Sequence, residues 1–231
     1  MSEENVVPKH LGLILDGNRR WAKDQGLPTL EGHQQGAEAL KTIALAAFDR
    51  GVEFVSAYAF STENWKRTEE EVGYLMKLFM KGVELHLDTF HNAGIKVVIL
   101  GRREGLDKSV IKAFDKTESK TKTNTRGTLA LCVNYGGQEE LVDAFKNIIE
   151  SGESKEVITR EKIEQNLYHP EIPGIDLLVR SSGEKRTSGF MLYRSDYAEL
   201  YFTDTMWPDF SEAELDQALS EYSSRKRRFG A

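Results

Sequence analysis

The sequence predicts an α/β protein with a mostly parallel six-stranded sheet flanked by helices, in one domain spanning residues 1–231. Short apolar runs alternate along the chain with longer segments of helical period. The runs are hydrophobic almost throughout, as strands covered on both faces must be, and strand–helix alternation implies parallel neighbours joined by right-handed crossovers. With 231 residues, 39% of them hydrophobic, the chain can bury a sizeable core.

The expected strands are Leu11–Leu15, Phe54–Phe60, Val97–Leu100, Thr128–Val133 and Ile175–Val179, with Leu200–Phe202 as a sixth. Each is a short apolar or β-branched run. The helical patterns between them cover Gly36–Arg50, Glu69–His91, Asp107–Lys120, Glu139–Ile149 and Ser211–Arg227. The second is the clearest: Val72, Leu75, Met76, Phe79, Met80, Val83, Leu87 and Phe90 recur at helical spacing. Such a stripe is ordinary core, or the wall of an apolar tunnel. The segment Glu150–Glu156 is polar and short, a loop within the domain.

Composition excludes several classes. Acidic residues outnumber basic ones 37 to 31, a formal charge of -6, so no global basic field points to nucleic acid, although Arg225-Lys226-Arg227-Arg228 is locally basic. Cys132 is the single cysteine and stands in an apolar run, which excludes an intrachain disulfide framework and suits a reducing, cytoplasmic setting. No apolar stretch approaches the roughly 18 residues of a membrane span. Any membrane contact is therefore expected to be peripheral.

The segments that follow the strands carry the chemistry. They are Asp16-Gly17-Asn18-Arg19-Arg20-Trp21, Ser61-Thr62-Glu63-Asn64-Trp65-Lys66-Arg67, Asn134-Tyr135-Gly136-Gly137 and Arg180-Ser181-Ser182-Gly183-Glu184-Lys185-Arg186. In a parallel sheet all four share the carboxyl edge, where open α/β folds bind ligands. Arg20, Arg67, Arg180 and Arg186, with hydroxyls at Ser61, Thr62 and Ser188 and amides at Asn18 and Asn64, form a set suited to a polyanion. More than one diphosphate would use them all. Asp16, before a glycine at a strand end, can present its carboxylate to Mg²⁺ or cap the next helix. His33 can donate to a phosphate or to backbone groups, and Trp21 and Trp65 can face the crevice or the core. There is no Walker A loop and no GxGxxG.

These motifs, together with Gly32-His33 and the run Tyr197-Ala198-Glu199-Leu200-Tyr201-Phe202, resemble the cis-prenyltransferases, the undecaprenyl diphosphate synthase family, from about His10 to Gly230. The resemblance implies a homodimer that elongates an allylic diphosphate, such as farnesyl or geranyl diphosphate, with isopentenyl diphosphate to give cis double bonds. It implies Mg²⁺ at Asp16, completed by Glu199 across the crevice. It implies that Gly17, Asn18, Arg19 and Arg20 hold the allylic diphosphate in a pocket shaped by Trp21, His33, Ser61, Thr62 and Glu63. Asn64 assists proton removal, Trp65 and Arg67 complete the loop, and Arg180, Arg186, Thr187 and Ser188 bind isopentenyl diphosphate. Arg228-Phe229-Gly230 matches a C-terminal Arg-x-Gly that reaches a neighbouring subunit's site.

The chain departs from the family pattern in four places, one of them mild: Arg180-Ser181-Ser182-Gly183-Glu184 replaces Arg-Thr-Gly-Gly-Glu and keeps the arginine and the last glycine. Thr29 stands where an arginine is common, so a phosphate cation is missing that Arg20 or Lys23 would have to replace. The run Ser188–Arg194 lacks the usual asparagine and tryptophan. Val133 is bulkier than the usual small residue and is expected to narrow the tunnel, while Ala59 nearby stays small. Two rival readings are a phosphoaspartyl hydrolase, which would need a second aspartate two residues after Asp16, and a non-catalytic subunit of a prenyltransferase heterodimer, which would be expected to have lost Asp16 or the arginines.

Overall fold

The computed structural model describes residues 6–152 and 158–225. The Arg-x-Gly match at Arg228-Phe229-Gly230, and parts of the expected Glu150–Glu156 loop and basic tail, lie outside the described residues. Six strands form one sheet: β1 (His10–Ile14), β2 (Phe54–Ser61), β3 (Ile95–Leu100), β4 (Gly127–Tyr135), β5 (Leu177–Arg180) and β6 (Glu199–Phe202). Their order is β3-β4-β2-β1-β5-β6, and every neighbouring pair is parallel. Strands β2, β4 and β3 lie on one side of β1 and β5 and β6 on the other, so the strand order reverses beside β1, where a crevice opens at the carboxyl edge.

Full burial of β1 and β5 explains why their sequences are apolar without alternation. Ile175 falls before β5; its N–H donates to the Arg194 carbonyl at 2.7 Å, so it is spent on a loop contact. On one face of the sheet Leu13, Val55, Leu129 and Val97 pack beneath Ile43, Phe48, Leu75 and Phe114. On the other, Leu178, Ala130 and Val98 meet Ile175, Phe190 and Met191, with Cys132 buried among them.

Seven helices are found among the described residues: α1 (Asn18–Asp24), α2 (Thr29–Asp49), α3 (Glu69–Asn92), α4 (Lys108–Thr121), α5 (Gly137–Glu150), α6 (Arg160–Asn166) and α7 (Glu212–Ser224). Helix α2 begins seven residues before the predicted Gly36. Gly32 and Gly36 weaken the helical signal by roughly 1 kcal/mol each, but packing requires them. A Cβ on Gly32 would lie 2.1 Å from the Asn18 carbonyl oxygen, and one on Gly36 2.2 Å from Asn18 Oδ1. These glycines let α1 press against α2 and so fix the loop after β1.

Candidate active site

Asp16 follows β1 by two residues, and Gly17 turns the chain into α1 with φ +103, a left-handed conformation that a side chain disfavours. Space also demands glycine there, because a Cβ would stand 2.8 Å from Ser182 Oγ. The Ser181 hydroxyl bridges the backbone of Asp16, accepting from its N–H at 3.0 Å and donating to its carbonyl at 2.7 Å. Trp207 N–H donates to the same carbonyl. Asp16 is thereby held from both sides.

Its carboxylate does not cap α1. Oδ1 accepts from Gly17 N–H at 2.8 Å, and Oδ2 accepts from the Arg180 guanidinium at 2.8 Å. Arg180, nearly buried, also donates to the Arg186 carbonyl at 2.6 Å and to Ser188 Oγ at 2.8 Å. Asp16, Arg180 and Ser188 are thus one connected unit. Arg186 itself is exposed and pairs with Glu184, while Thr187 accepts from Phe190 N–H through its carbonyl. Ser182 and Ser188 adopt positive φ, 78 and 51. Non-glycine residues held in this region cluster at functional sites.

An open cleft of about 830 Å³ is lined by Asp16, Gly17, Asn18, Arg19, Arg20, Lys23, Thr29, His33 and Arg67. Arg20 and Lys23 line this cleft together with Thr29. Behind it, a cavity of about 180 Å³ runs between α2, α3 and the sheet, lined largely by leucine, phenylalanine and valine side chains. Leu15, Asn18, His33 and Arg67 border both spaces, so the cationic cleft opens into the apolar cavity.

Glu71 organises the rim between them. Nearly buried in the first turn of α3, it accepts from Arg67 at 2.8 Å and lies 3.4 Å from His33 Nε2 and 3.9 Å from Arg19. Burial and the Arg67 charge push the His33 imidazole below its ordinary value. Sequence reasoning passed over Glu71, although Thr68-x-x-Glu71 has capping-box spacing and Thr68 Oγ1 accepts from Glu71 N–H.

The structure separates other candidates from the cleft lining. The Trp21 indole donates to Asp209 at 2.8 Å and ties α1 to a 3₁₀ turn. Ser61 is the cap of the turn Thr62–Lys66, whose members include Glu63; Asn64 Oδ1 accepts from Ser61 N–H at 3.0 Å, and Asn64 lines the apolar cavity. Trp65 donates to Asn134 Oδ1 at 2.7 Å, and Asn134 in turn donates to the carbonyls of Arg102 and Glu104. Asn134 braces loops from three strands.

Two expectations are corrected. Glu199 does not face Asp16: it opens β6 level with Leu177 and Leu11, five residues before Asp16 along the strand direction, a gap of roughly 16 Å. It pairs instead with Arg225 at 2.7 Å. The first residue of a strand lies at the sheet edge opposite the residues that follow a parallel strand. Val133 is buried in the main core but does not line the cavity, whereas Ala59, Leu129 and Leu131 do. Val133 therefore cannot narrow it directly.

No group of three His, Cys, Asp or Glu side chains that could hold a metal ion occurs among the described residues. The donor set nonetheless fits Mg²⁺, which is typically bound by one or two carboxylates, waters and substrate phosphates. Each Asp16 oxygen accepts one hydrogen bond and has lone-pair capacity to spare.

Comparison with known proteins accounts for this architecture. The chain matches the prenyltransferase model of the undecaprenyl diphosphate synthase family over residues 14–230. It is 44% identical over 226 residues to an isoprenyl transferase of Thermotoga maritima, covering 97% of each chain. It is also 44% identical over 229 residues to a trans,polycis-polyprenyl diphosphate synthase ((2Z,6E)-farnesyl diphosphate specific) of Thermobifida fusca, covering 97% of this chain and 81% of that one. Its fold superposes with TM-score 0.93 on lavandulyl diphosphate synthase from Lavandula x intermedia in complex with dimethylallyl diphosphate, at 32% identity over 99% of this chain and 100% of that one. The chain belongs to the undecaprenyl diphosphate synthase family of prenyltransferases.

Proposed function

We propose that this protein condenses isopentenyl diphosphate with an allylic diphosphate to give a cis-polyprenyl diphosphate, with Asp16 as its Mg²⁺ anchor. The observation that carries the reading is the cationic cleft opening into an apolar cavity. A ligand matched to both spaces has a polyanionic head and a hydrocarbon tail. Arg19, Arg20, Lys23 and Arg67 hold the allylic head. Arg180, Arg186, Thr187 and Ser188, on the adjacent loop after β5, take the second diphosphate, that of isopentenyl diphosphate.

In the reaction the allylic C–O bond breaks and the diphosphate leaves with the electron pair. The alkene of isopentenyl diphosphate then forms the new C–C bond, and a proton is lost. Asp16 would hold Mg²⁺, which when bound would supply positive charge to stabilise the departing diphosphate. The surrounding guanidiniums act in the same sense, fixed before reaction and strongest where charge grows. Arg180 keeps the Asp16 carboxylate oriented while spanning to Ser188. Asn64, at the border of the cavity, assists proton removal by orienting the condensing unit. Each methylene drawn into the cavity contributes about 0.8 kcal/mol, which favours elongation.

The chain acts as a cytoplasmic homodimer with peripheral membrane contact as the product lengthens. The open edge at β6, with Leu200 and Tyr197 exposed, supports self-association. None of the described helices is long and apolar enough to cross a membrane.

Purified protein with Mg²⁺, labelled isopentenyl diphosphate and starters of two or three isoprene units tests the reading. Chain-extended diphosphates are expected. Absence of product with every starter would sink it.

A further inference from the structure

Given a hydrocarbon growing into the apolar cavity, as proposed above, something in the wall must stop it. Helix α3 runs along the cavity, contributing Leu75, Phe79, Val83, His86 and Phe90 among others. At a rise of about 1.5 Å per residue, His86 lies roughly 22 Å along α3 from Glu71 at the rim. Beyond the rim residues, the wall includes the polar side chains of Tyr58, whose hydroxyl is directed at the Tyr135 carbonyl, and of Lys41, His86 and Thr117. The Thr117 hydroxyl is satisfied within its own helix, donating to the Ala113 carbonyl. Lys41 and His86 are not arranged in that way.

Both converge on Glu38. The Lys41 ammonium donates to Glu38 Oε2, and His86 Nε2 lies 3.1 Å from Glu38 Oε1. Lys41 and Glu38 are on α2 and His86 is on α3, so the three side chains tie the helices together across the wall. All are partly screened from solvent, His86 most, at 12% exposure. The Lys41 hydrogen bond holds the Glu38 carboxyl below the usual carboxylate range.

A chain end that advances along Leu, Phe and Val gains about fourfold in affinity per methylene. Against Lys41 and His86 it gains nothing, because it would strip water from an ammonium and an imidazole without replacing their hydrogen bonds. We infer that the Lys41–Glu38–His86 cluster is the polar stop that sets product length. The inference rests on the prenyltransferase reading, and the ligand class is an isoprenoid chain.

Replacing the set together, Glu38→Leu with Lys41→Met and His86→Leu, removes the charges without leaving one unpaired. Two readouts apply: the length of products made from labelled isopentenyl diphosphate, and the affinity of saturated n-alkyl diphosphates of increasing length. In the natural protein alkyl affinity should climb with length and then level off. In the triple variant it should keep climbing, and the longest product should gain at least one five-carbon unit, while the first condensation stays within about twofold because the cluster is remote from the cleft. An unchanged plateau and product ladder, or shorter products, would overturn the inference. Should the triple variant fail to fold, as judged by thermal melting, Lys41→Met alone carries the same test with a smaller shift. The alkyl-diphosphate series reads the stop without turnover, so failure of the prenyltransferase reading and failure of the stop are told apart.

Discussion

Arg180 donates to the carboxylate of Asp16 at 2.8 Å from a nearly buried position, and the other arm of its guanidinium reaches Ser188 Oγ at 2.8 Å. This joins the loop after β1 to the loop after β5. In the proposed condensation it would set the position of the Asp16 carboxylate at one diphosphate relative to the loop that takes the second. Reaction between two diphosphate esters depends on that spacing, since a misplacement of about 1 Å can cost 100-fold in rate.

Arg180→Lys keeps the charge but loses the fork, so one ammonium cannot serve Asp16, the Arg186 carbonyl and Ser188 together. Each charge-assisted hydrogen bond lost is worth about 1.5–3 kcal/mol, which predicts a fall in kcat/KM for isopentenyl diphosphate of roughly 10- to 100-fold. Steady-state kinetics at fixed allylic diphosphate would measure it. An unchanged kcat/KM would mean that the pairing is incidental.

Beneath the loops, Glu140 and Arg194 form a buried ion pair at 2.6 Å. Glu140 also accepts from the Tyr135 hydroxyl and from Tyr168 N–H. Glu140→Ala leaves the guanidinium buried without its counter-charge, at a cost of about 3–5 kcal/mol. Urea unfolding should show this loss, and Glu140→Met with Arg194→Met should recover part of it. Equal losses in the single and double variants would contradict the argument.

His10, buried at the start of β1, has Nδ1 2.8 Å from the Pro173 carbonyl and Nε2 2.8 Å from Ser56 Oγ. In the tautomer these partners favour, Nδ1–H donates and Nε2 accepts. Burial pushes the imidazole down from 6.5 to about 4. The unfolded chain therefore takes up a proton near pH 6.5 that the folded chain refuses until about pH 4, so this contribution to stability is full above pH 6.5 and is lost as pH falls through that window. The loss is about 3 kcal/mol. Urea titrations of the natural protein and His10→Asn between pH 7.5 and 4.5 should show a shallower pH dependence in the variant. Parallel curves would remove His10 from the account.

The strands were legible because double-sided burial leaves an unambiguous mark: β1, β2 and β4 fall within two residues of expectation. Helix α1 was hidden because Asn18-Arg19-Arg20-Trp21-Ala22-Lys23-Asp24 has no apolar period; it is held by packing against the glycines of α2. Convergence of the loops after β1, β2, β4 and β5 followed from parallel topology alone. Glu199 was misplaced because a motif shows which residues neighbour a strand in sequence, while register decides which sheet edge they reach. Glu71 was missed because its partners Arg19, His33 and Arg67 come from three separate segments, and no local pattern announces such a meeting.

The central claim is that Asp16, oriented by Arg180, anchors the metal that drives departure of the allylic diphosphate. Asp16→Asn preserves shape and removes the charge. With Mg²⁺, isopentenyl diphosphate and an allylic starter, condensation by this variant should fall by at least about 1,000-fold, while its thermal melting stays close to that of the natural protein. Turnover by Asp16→Asn within tenfold of the natural protein would contradict the claim.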